Sequence, residues 1–321
     1  MSEVTSVDIS ALYQAPSPAR DACDIAIWSG LRATGSVVVT GYPDADLVDT
    51  RARTGLAFFD VPEADKRRVT SKLHAPENAH TYRGYHPHDP ASDFRTDFLD
   101  IGPDDPQPGP DLAGMHIVTE KTPWPKPEPA AGWYDAVRAY YDQMEDLAKR
   151  LMHSIGRSAG FAEAEIEARF GGQHSTLRFL DYPASTQPAP KDGPAISAVC
   201  HTDASGLSLL WQAGPGLQAQ GPDGVFYDIP MRPDCVSVHV GTVMTTMTGG
   251  AVPATPHRVL DHGVRRQSVG FFLEPALSAP ITAADAVGRA PAPEETYGWQ
   301  VLTQLASYGD YGDEIVAPGR G

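Results

Sequence analysis

The sequence is poor in cysteine, and its few cysteines are scattered. The 321 residues contain three, Cys23, Cys200 and Cys235, and no two of them have the close spacing of a metal-binding pair. An odd number of cysteines also argues against a disulfide framework. The first ten residues, MSEVTSVDIS, lack a basic segment followed by an apolar one. We therefore expect a cytoplasmic protein.

Basic residues are also scarce relative to acidic ones. The chain has 25 Lys and Arg against 41 Asp and Glu, which gives a formal net charge of −16. Nucleic acids and anionic membranes bind basic surfaces, so we expect neither as a partner. No apolar run approaches the length of a membrane span. The acidity favours a small-molecule substrate that is neutral, cationic or amino-bearing. The alternative is that the acidic residues serve only to keep the protein soluble. The composition predicts no oligomeric state.

The first half of the chain combines helices with a long loop-rich segment. Apolar residues at spacings of three and four predict a long amphipathic helix over residues 131–160. Shorter helices are expected over 20–34 and 45–59, with a buried strand at Ser36–Thr40 between them. The segment from 73 to 129 is rich in Pro, His, Asp and Gly, which predicts loops, with one short strand near Phe94–Ile101.

After Gly171 the pattern changes to short apolar segments separated by Pro, Gly and Asp. Many closely spaced short strands are typical of an antiparallel barrel or jelly roll, so we expect a mainly β fold with flanking α-helices. The candidate strands are Ser175–Asp181, Ala198–His201, Leu207–Gln212, Leu217–Gln220, Val225–Asp228, Cys235–Val240, Val243–Thr246, His257–Leu260 and Ser268–Glu274.

A candidate metal motif, His201-Thr202-Asp203, stands at the end of one of these strands. In an extended chain, residues two apart point to the same side, so the imidazole and the carboxylate converge. Two histidines and one carboxylate on one face of iron(II) leave three positions open for an oxidant and a co-substrate. A chain with 11 His and 41 acidic residues contains His-x-acid pairs by chance, so this motif alone is weak.

A second motif in the same strand-rich region strengthens the first. His257 lies 54 residues after Asp203, and Arg266 follows nine residues later with Ser268 two further on. On a strand, Arg266 and Ser268 share a face. A guanidinium grips a carboxylate with two hydrogen bonds, and a hydroxyl adds a third, so this face suits the distal end of a dicarboxylate.

These residues resemble the iron(II)- and 2-oxoglutarate-dependent oxygenases of the isopenicillin N synthase type, and the resemblance spans most of the chain. The stretch DIPMRPDCVSVHVGTVMTTMTGGAVPATPHRV is most similar to the bacterial branch that contains the cephalosporin ring-expanding enzymes. Further similar segments are GSVVVTGYP and LAFFDVPEADKRR near the start, PWP at 123–125, LRFLDYPA at 177–184 and HTDASGLSLLWQ at 201–212.

The resemblance implies a distorted double-stranded β-helix, or jelly roll, in a single oxygenase domain over residues 1–321. Residues 1–170 would form a helical and loop region packed on the core, 171–280 the jelly-roll core with the metal site, and 281–321 a C-terminal helix and tail. The implied residues are the iron ligands His201, Asp203 and His257 and the 2-oxoglutarate contacts Arg266, Ser268 and Tyr182. The implied cofactors are iron(II), 2-oxoglutarate as co-substrate and dioxygen.

The sequence departs from the family pattern at two places, neither of which includes an implied iron ligand. Relatives commonly carry Asn-Tyr-Tyr where this chain has Leu180-Asp181-Tyr182, so an Asn contact to the oxo acid is missing. Many relatives carry Gly-Asp where this chain has Gly241-Thr242. The substrate contacts that we expect are Arg83, Tyr85, Arg178 and Phe272. His239 is expected to be a core histidine, and Cys200 a buried small residue.

Three functions from different classes remain open at this point. The favoured one is an oxygenase that decarboxylates 2-oxoglutarate to succinate while it hydroxylates, desaturates or cyclises a small specialised metabolite, as in antibiotic biosynthesis. The second is a non-haem iron oxidase that needs no 2-oxoglutarate, with Arg266 and Ser268 holding a substrate carboxylate. The third is a non-catalytic jelly-roll protein with a structural metal, although structural zinc normally takes four protein ligands.

Overall fold

The computed structural model describes residues 4–88, 94–172, 174–185, 192–282 and 291–307, with Tyr311, Ile315 and Ala317. The strands in these ranges are β1 Thr5–Asp8, β2 Ser36–Thr40, β3 Gly84–His86, β4 Asp97–Ile101, β5 Thr176–Tyr182, β6 Ile196–His201, β7 Leu207–Gln212, β8 Leu217–Gln220, β9 Phe226–Asp228, β10 Val236–Val240, β11 His257–Leu260 and β12 Arg266–Leu273. The helices are α1 Pro18–Thr34, α2 Val48–Leu56, α3 Glu63–Arg67, α4 Met115–Val118, α5 Trp133–Ala159, α6 Glu163–Phe170, α7 Thr242–Met247 and α8 Tyr297–Leu305.

The strands form a major and a minor sheet. The major sheet has eight strands in the order β1-β2-β10-β7-β12-β5-β4-β3, and the minor sheet has four in the order β6-β11-β8-β9. β1 pairs with β2 in parallel, and the other pairings of both sheets are antiparallel. Apolar residues of both sheets share one cluster, in which Val38 and Tyr182 meet Ala198 and Val259. This two-sheet arrangement is the mainly β fold with flanking helices that the sequence predicts.

The largest hydrophobic core lies between the outer face of the major sheet and the helices. Tyr141 of α5 packs edge-on against Phe271 of β12, with ring centroids 5.3 Å apart. The indole of Trp133 donates a hydrogen bond of 3.0 Å to the backbone oxygen of Gly55 in α2. A Cβ atom at Gly55 would lie 2.2 Å from the Phe179 ring, so only glycine lets α2 approach the sheet this closely. The helices therefore cover the outer face and leave the inner face for the site.

The end of α1 also supports the strand that begins with a candidate metal ligand. α1 starts at a capping serine, Ser17, and ends at Gly35 with φ of +74°, a conformation that favours glycine. The hydroxyl of Thr255 donates to the Gly35 backbone oxygen and accepts a 3.1 Å hydrogen bond from the Val240 backbone N–H. The chain entering β11 is thereby fixed two residues before His257.

The structure corrects several of the expected strand boundaries, and one expected strand is a helix. The stretch Val243–Thr246 was expected to be a strand because Val and Thr favour strands, but residues 242–247 form helix α7. Val243, Met244 and Met247 of α7 are buried in the core, so tertiary packing outweighs the local preference. The sequence pattern also missed β1, β3 and α6.

The C-terminal segment is only partly described. Helix α8 lies within the expected 281–321 region, whereas residues 283–290, 308–310, 312–314, 316 and 318–321 lie outside the described residues. In the part of the chain that the structure describes, no helix is both long and apolar enough to cross a membrane.

Candidate metal centre

The three predicted metal ligands lie together where the minor sheet meets the loop after β6. His201 ends β6 and His257 begins β11, and the two residues are paired directly across these antiparallel strands. Their ring centroids are 4.4 Å apart. With Asp203 they form a group in which one ligand atom from each residue lies within 4.8 Å of the others. Sheet register thus brings together residues that are distant in sequence.

Backbone carbonyls orient both imidazoles. The Nδ1 atom of His201 lies 2.8 Å from the Val199 oxygen, and that of His257 lies 3.0 Å from the Thr255 oxygen. Both Nδ1 atoms therefore donate, which leaves Nε2 as the free lone pair of each neutral ring. These Nε2 atoms lie 3.7 Å and 3.8 Å from the two carboxylate oxygens of Asp203. All three donors converge on one point, as a metal site requires.

The Asp203 carboxylate is held by a serine and a close backbone contact. Ser208 Oγ on β7 donates a 2.5 Å hydrogen bond to Asp203 Oδ2, and Ser205 Oγ lies 3.0 Å from Ser208 Oγ. The Thr242 backbone N–H donates to the Asp203 backbone oxygen at 2.8 Å. A Cβ atom at Gly241 would lie 1.9 Å from the Ser205 backbone oxygen, so glycine is needed where this loop crosses the end of β10.

The electrostatics of the cluster favour a neutral His201 imidazole and an ionised Asp203 carboxylate. Burial lowers the pKa of His201, and the neighbouring His257 lowers it further. Burial by itself would raise the pKa of Asp203, but His257 and His201 outweigh it and the net shift is downward. Neutral histidine and ionised aspartate are the forms that bind a divalent metal. Two imidazole nitrogens and one carboxylate oxygen are a donor set that suits iron(II).

Arg266 and Ser268 form a second polar group on the inner face of the major sheet. The Arg266 guanidinium donates to the Pro215 backbone oxygen at 3.0 Å, to Ser268 Oγ at 3.2 Å and to Gln212 Oε1 at 3.1 Å. It lies 5.1 Å from the centre of the Tyr182 ring, its cross-strand neighbour. Arg266 is buried, and burial lowers its pKa. Among the described residues, no carboxylate forms an ion pair with it, so an anionic ligand would fit here.

Of the four expected substrate contacts, Arg178 and Phe272 lie on this inner face. Arg178 Nε and Nη2 each donate at 2.7 Å to the carboxylate of Asp100, which is buried on β4. The guanidinium lies 4.2 Å from the Phe98 ring centre and 5.7 Å from that of Phe272.

The structure places Arg83 and Tyr85 elsewhere. Tyr85 points to the helix side of the major sheet, because strand alternation puts it opposite Leu99 in the core, where it packs against Phe58. Arg83 is 1% exposed and donates to Thr176 Oγ1 at 2.7 Å and to the His174 backbone oxygen at 3.2 Å, while its Nε has no hydrogen-bond partner among the described residues. The expected substrate contacts of Arg83 and Tyr85 stay predictions.

Two further expectations concern residues next to the ligands. Cys200 is exposed, not buried as expected, because it points away from the side on which His201 lies. His239 is fully buried beside His257, with ring centroids 5.5 Å apart, and lies outside the ligand group. This placement agrees with a core histidine, and burial lowers its pKa to about 3.

Sequence reasoning missed several residues that shape the site. Ser208 supports Asp203, Gln212 contacts Arg266, and Asp100 pairs with Arg178. Alternation along β7 places Ser208 and Gln212 on one face, and this pattern could have indicated the first two. Asp100 could not be linked to Arg178, since their pairing depends on the register of β4 against β5.

Comparison with known proteins identifies the domain that contains this site. Residues 172–275 match the family model described as the 2OG-Fe(II) oxygenase superfamily. This part of the chain is a 2OG-Fe(II) oxygenase domain. The oxygenase domain confirms the expected enzyme class, a dioxygenase, and the expected cofactors, iron(II) and 2-oxoglutarate. The non-catalytic reading is thereby excluded.

The similarity to known proteins extends beyond residues 172–275. Isopenicillin N synthase of Streptomyces clavuligerus is 26% identical over 315 residues, which cover 96% of this chain and 93% of that protein. The 2-oxoglutarate-dependent dioxygenase citB of Monascus ruber is 25% identical over 300 residues, 88% of each chain.

Solved structures share the fold of the oxygenase. A full-length Neurospora crassa protein in complex with alpha-KG has a TM-score of 0.76 at 22% identity and covers 94% of this chain and 96% of that one. The rice dioxygenase for auxin oxidation has a TM-score of 0.68 at 19% identity and covers 95% and 96%. These matches confirm the double-stranded β-helix fold.

Proposed function

We propose that His201, Asp203 and His257 bind iron(II) and that the enzyme uses 2-oxoglutarate and dioxygen to oxidise a small organic molecule. The converging Nε2 atoms and the oriented carboxylate support these three residues as ligands. Three protein ligands leave open positions, which a structural site does not. When bound, iron would activate dioxygen, the oxidant, which takes two electrons from 2-oxoglutarate and two from the substrate; the co-substrate leaves as succinate and carbon dioxide.

The observation that carries this proposal is the buried guanidinium of Arg266, which has no anionic partner among the described residues. Such a charge is costly unless a ligand compensates it. We propose that Arg266 and Ser268 bind the distal carboxylate of 2-oxoglutarate and that Tyr182 supports it from the neighbouring strand. Their hydrogen bonds hold the co-substrate in one orientation, and the surrounding sheet residues exclude water.

We propose a specialised metabolite as the substrate, in keeping with the similarity to isopenicillin N synthase and the resemblance to the ring-expanding branch. This similarity supports a role in antibiotic biosynthesis. Arg178 Nε and Nη2 are held by Asp100, and the guanidinium lies 5.7 Å from the centre of the Phe272 ring. This geometry supports a substrate that accepts a hydrogen bond near Phe272, in place of the cationic group that the net charge favoured.

We further propose that the N-terminal helices and the jelly roll form one catalytic domain. Residues of α1, α2 and α5 share one hydrophobic cluster with β7 and β12, which supports a single folding unit. The region 171–280 would then supply the site, and residues 1–170 would support its outer wall.

The direct test is reconstitution of the protein with iron(II) without oxygen, followed by exposure to air with 2-oxoglutarate. We expect succinate to form, at a rate that Arg266→Ala lowers through a higher KM for 2-oxoglutarate. Candidate substrates include thymine and auxin, since one similar structure contains thymine and another is described as a dioxygenase for auxin oxidation. Absence of succinate from an iron-loaded, folded protein under every condition would contradict the proposal.

A second candidate is an iron oxidase that does not use 2-oxoglutarate. The similarity to isopenicillin N synthase over 96% of this chain favours keeping it in view. If this chain is such an oxidase, its Arg266 and Ser268 would hold a carboxylate of the substrate itself. Substrate oxidation that proceeds at full rate without 2-oxoglutarate, and with no succinate, would support this second function over the first.

A further inference from the structure

Of the three candidate ligands, His201 is the most exposed in the part of the chain that the structure describes. The His201 side chain is 32% exposed, compared with 7% for His257 and 12% for Asp203. The ring of Phe94 stands against this imidazole, edge to face, with centroids 5.0 Å apart and planes at 80°. Phe94 itself is 37% exposed, which is unusual for a large apolar side chain. The ring therefore lies between the most accessible ligand and solvent.

The backbone from Phe94 to Asp97 joins the two sheets. Phe94 forms an isolated antiparallel bridge with Ala198 of β6. The next residue, Arg95, donates its backbone N–H to the Ser197 oxygen at 2.9 Å. β4 begins shortly after, at Asp97, and belongs to the major sheet. The position of Phe94 relative to His201 is therefore set by pairing to the strand that carries His201.

Arg95 fixes this segment through its side chain as well. Its guanidinium donates to Ser185 Oγ at 2.8 Å, to the Ile196 backbone oxygen at 2.8 Å and to Asp261 Oδ2 at 2.5 Å. The Asp261 side chain is 5% exposed, so this ion pair is shielded from solvent on one side. Shielded, hydrogen-bonded ion pairs hold geometry more firmly than exposed ones. Arg95 thus ties the Phe94 segment to the start of β6 and to the residue that follows β11.

We propose that Phe94 is the solvent-side wall of the metal centre and that Arg95 is the positioning residue that holds it there. This inference rests on the proposed function, because it takes the cluster of His201, Asp203 and His257 as the metal site. The Phe94 ring limits the access of water and of competing ligands to the His201 side. In this proposal Arg95 acts through Phe94, and the double-mutant cycle below separates this route from a direct effect on β6 and β11 through Ile196 and Asp261.

The first test measures how fast a chelator removes the metal. The protein is loaded with cobalt(II), whose absorption reports its ligands, and mixed with excess EDTA. We expect Phe94→Ala to speed release roughly three-fold or more, short of the 10- to 100-fold effect of losing a hydrogen-bonded ligand partner. Phe94→Leu, which keeps an apolar wall, should stay near wild type. An unchanged release rate in Phe94→Ala would overturn the inference.

A double-mutant cycle tests whether Arg95 acts through Phe94. Arg95→Ala should speed release as Phe94→Ala does, and the double variant should be no faster than Phe94→Ala alone. Additive effects would show that Arg95 acts by another route and would overturn its positioning role. Arg157→Ala is the matched control, because Arg157 makes a two-bond pair with the buried Asp24 on the other side of the molecule. It should leave the release rate unchanged.

A second readout separates shielding from general loosening. In metal-free protein, diethyl pyrocarbonate modifies accessible imidazoles, and mass spectrometry locates the product. Phe94→Ala should increase modification of His201 while His257 stays protected; an equal rise at both would mean loosening and would overturn the inference. If wild type binds no cobalt, or if His257→Ala keeps wild-type cobalt binding, the proposed function itself fails. If only the inference about Phe94 fails, the result is different: wild type binds cobalt, and Phe94→Ala releases it at the wild-type rate.

Discussion

His201 and His257 stand directly opposite each other on the antiparallel strands β6 and β11, with ring centroids 4.4 Å apart. The distance between the two imidazoles is therefore set by strand pairing. Each ring is also fixed by its Nδ1 hydrogen bond to a backbone oxygen of its own chain segment. The ligand geometry is built into the folded protein before any metal binds, which lowers the cost of binding.

Replacing one of these ligands should remove metal binding without unfolding the protein. We expect His257→Ala to retain little cobalt or iron after dialysis, because two ligands remain and the third position is lost. Metal content by atomic absorption and thermal unfolding together test this. His153→Ala, at a partly exposed histidine on α5, is the control and should bind metal normally. A His257→Ala protein with full metal content would contradict the ligand assignment.

The contact between Gly241 and the loop that carries Asp203 gives a second prediction. Gly241→Ala would place Cβ 1.9 Å from the Ser205 backbone oxygen, so the loop must move. We expect a loss of about 1–3 kcal/mol in unfolding free energy and a metal affinity lower by roughly 10-fold. Urea unfolding and metal titration measure the two effects.

The matched control for this substitution is Gly214→Ala. A Cβ atom at Gly214 would meet no atom closer than 3.8 Å, so we expect wild-type stability and metal affinity. Equal behaviour of Gly241→Ala and Gly214→Ala would show that the loop tolerates the added methyl group.

The sequence predicted the ligands better than their surroundings. His201, Asp203 and His257 could be proposed because motif spacing and strand alternation depend on few residues near each motif. Phe94 could not be connected with His201, because their contact depends on a bridge between residues more than 100 positions apart in the chain. The packing of Tyr85 against Phe58 could not be predicted either, since it depends on the pairing of β3 with β4.

The fold shows the same division between local and distant effects. The bounds of β11 agree with the predicted strand His257–Leu260, along which buried and partly exposed side chains alternate. Helix α7 was missed because its Val and Thr residues favour a strand locally, while burial of Met244 and Met247 in the core stabilises a helix. Only the folded chain provides that core.

Ser208 gives a third prediction, since its hydroxyl donates to the Asp203 carboxylate at 2.5 Å. Ser208→Ala removes this donor and lets the carboxylate rotate, so we expect metal affinity to fall by roughly 10-fold. Competition with a chelator of known affinity measures the change. Ser237→Ala is the control, because Ser237 faces the same interior but its hydroxyl contacts His239 instead of a ligand. Wild-type affinity in Ser208→Ala would contradict this role.

His174 gives a prediction about acid stability. It is 2% exposed, and burial lowers its pKa from 6.5 to about 3. Below pH 6.5 the unfolded chain takes up a proton that the folded ring does not, so stability is lost as the pH falls from 6.5 toward 3. This group alone costs at most about 2 kcal/mol at pH 5. His174→Phe keeps an uncharged ring beside Tyr297 and should therefore flatten the fall in unfolding free energy between pH 7 and pH 5, measured by urea unfolding. The same substitution at His153 should not flatten it; a His174→Phe profile as steep as wild type would show that His174 does not contribute.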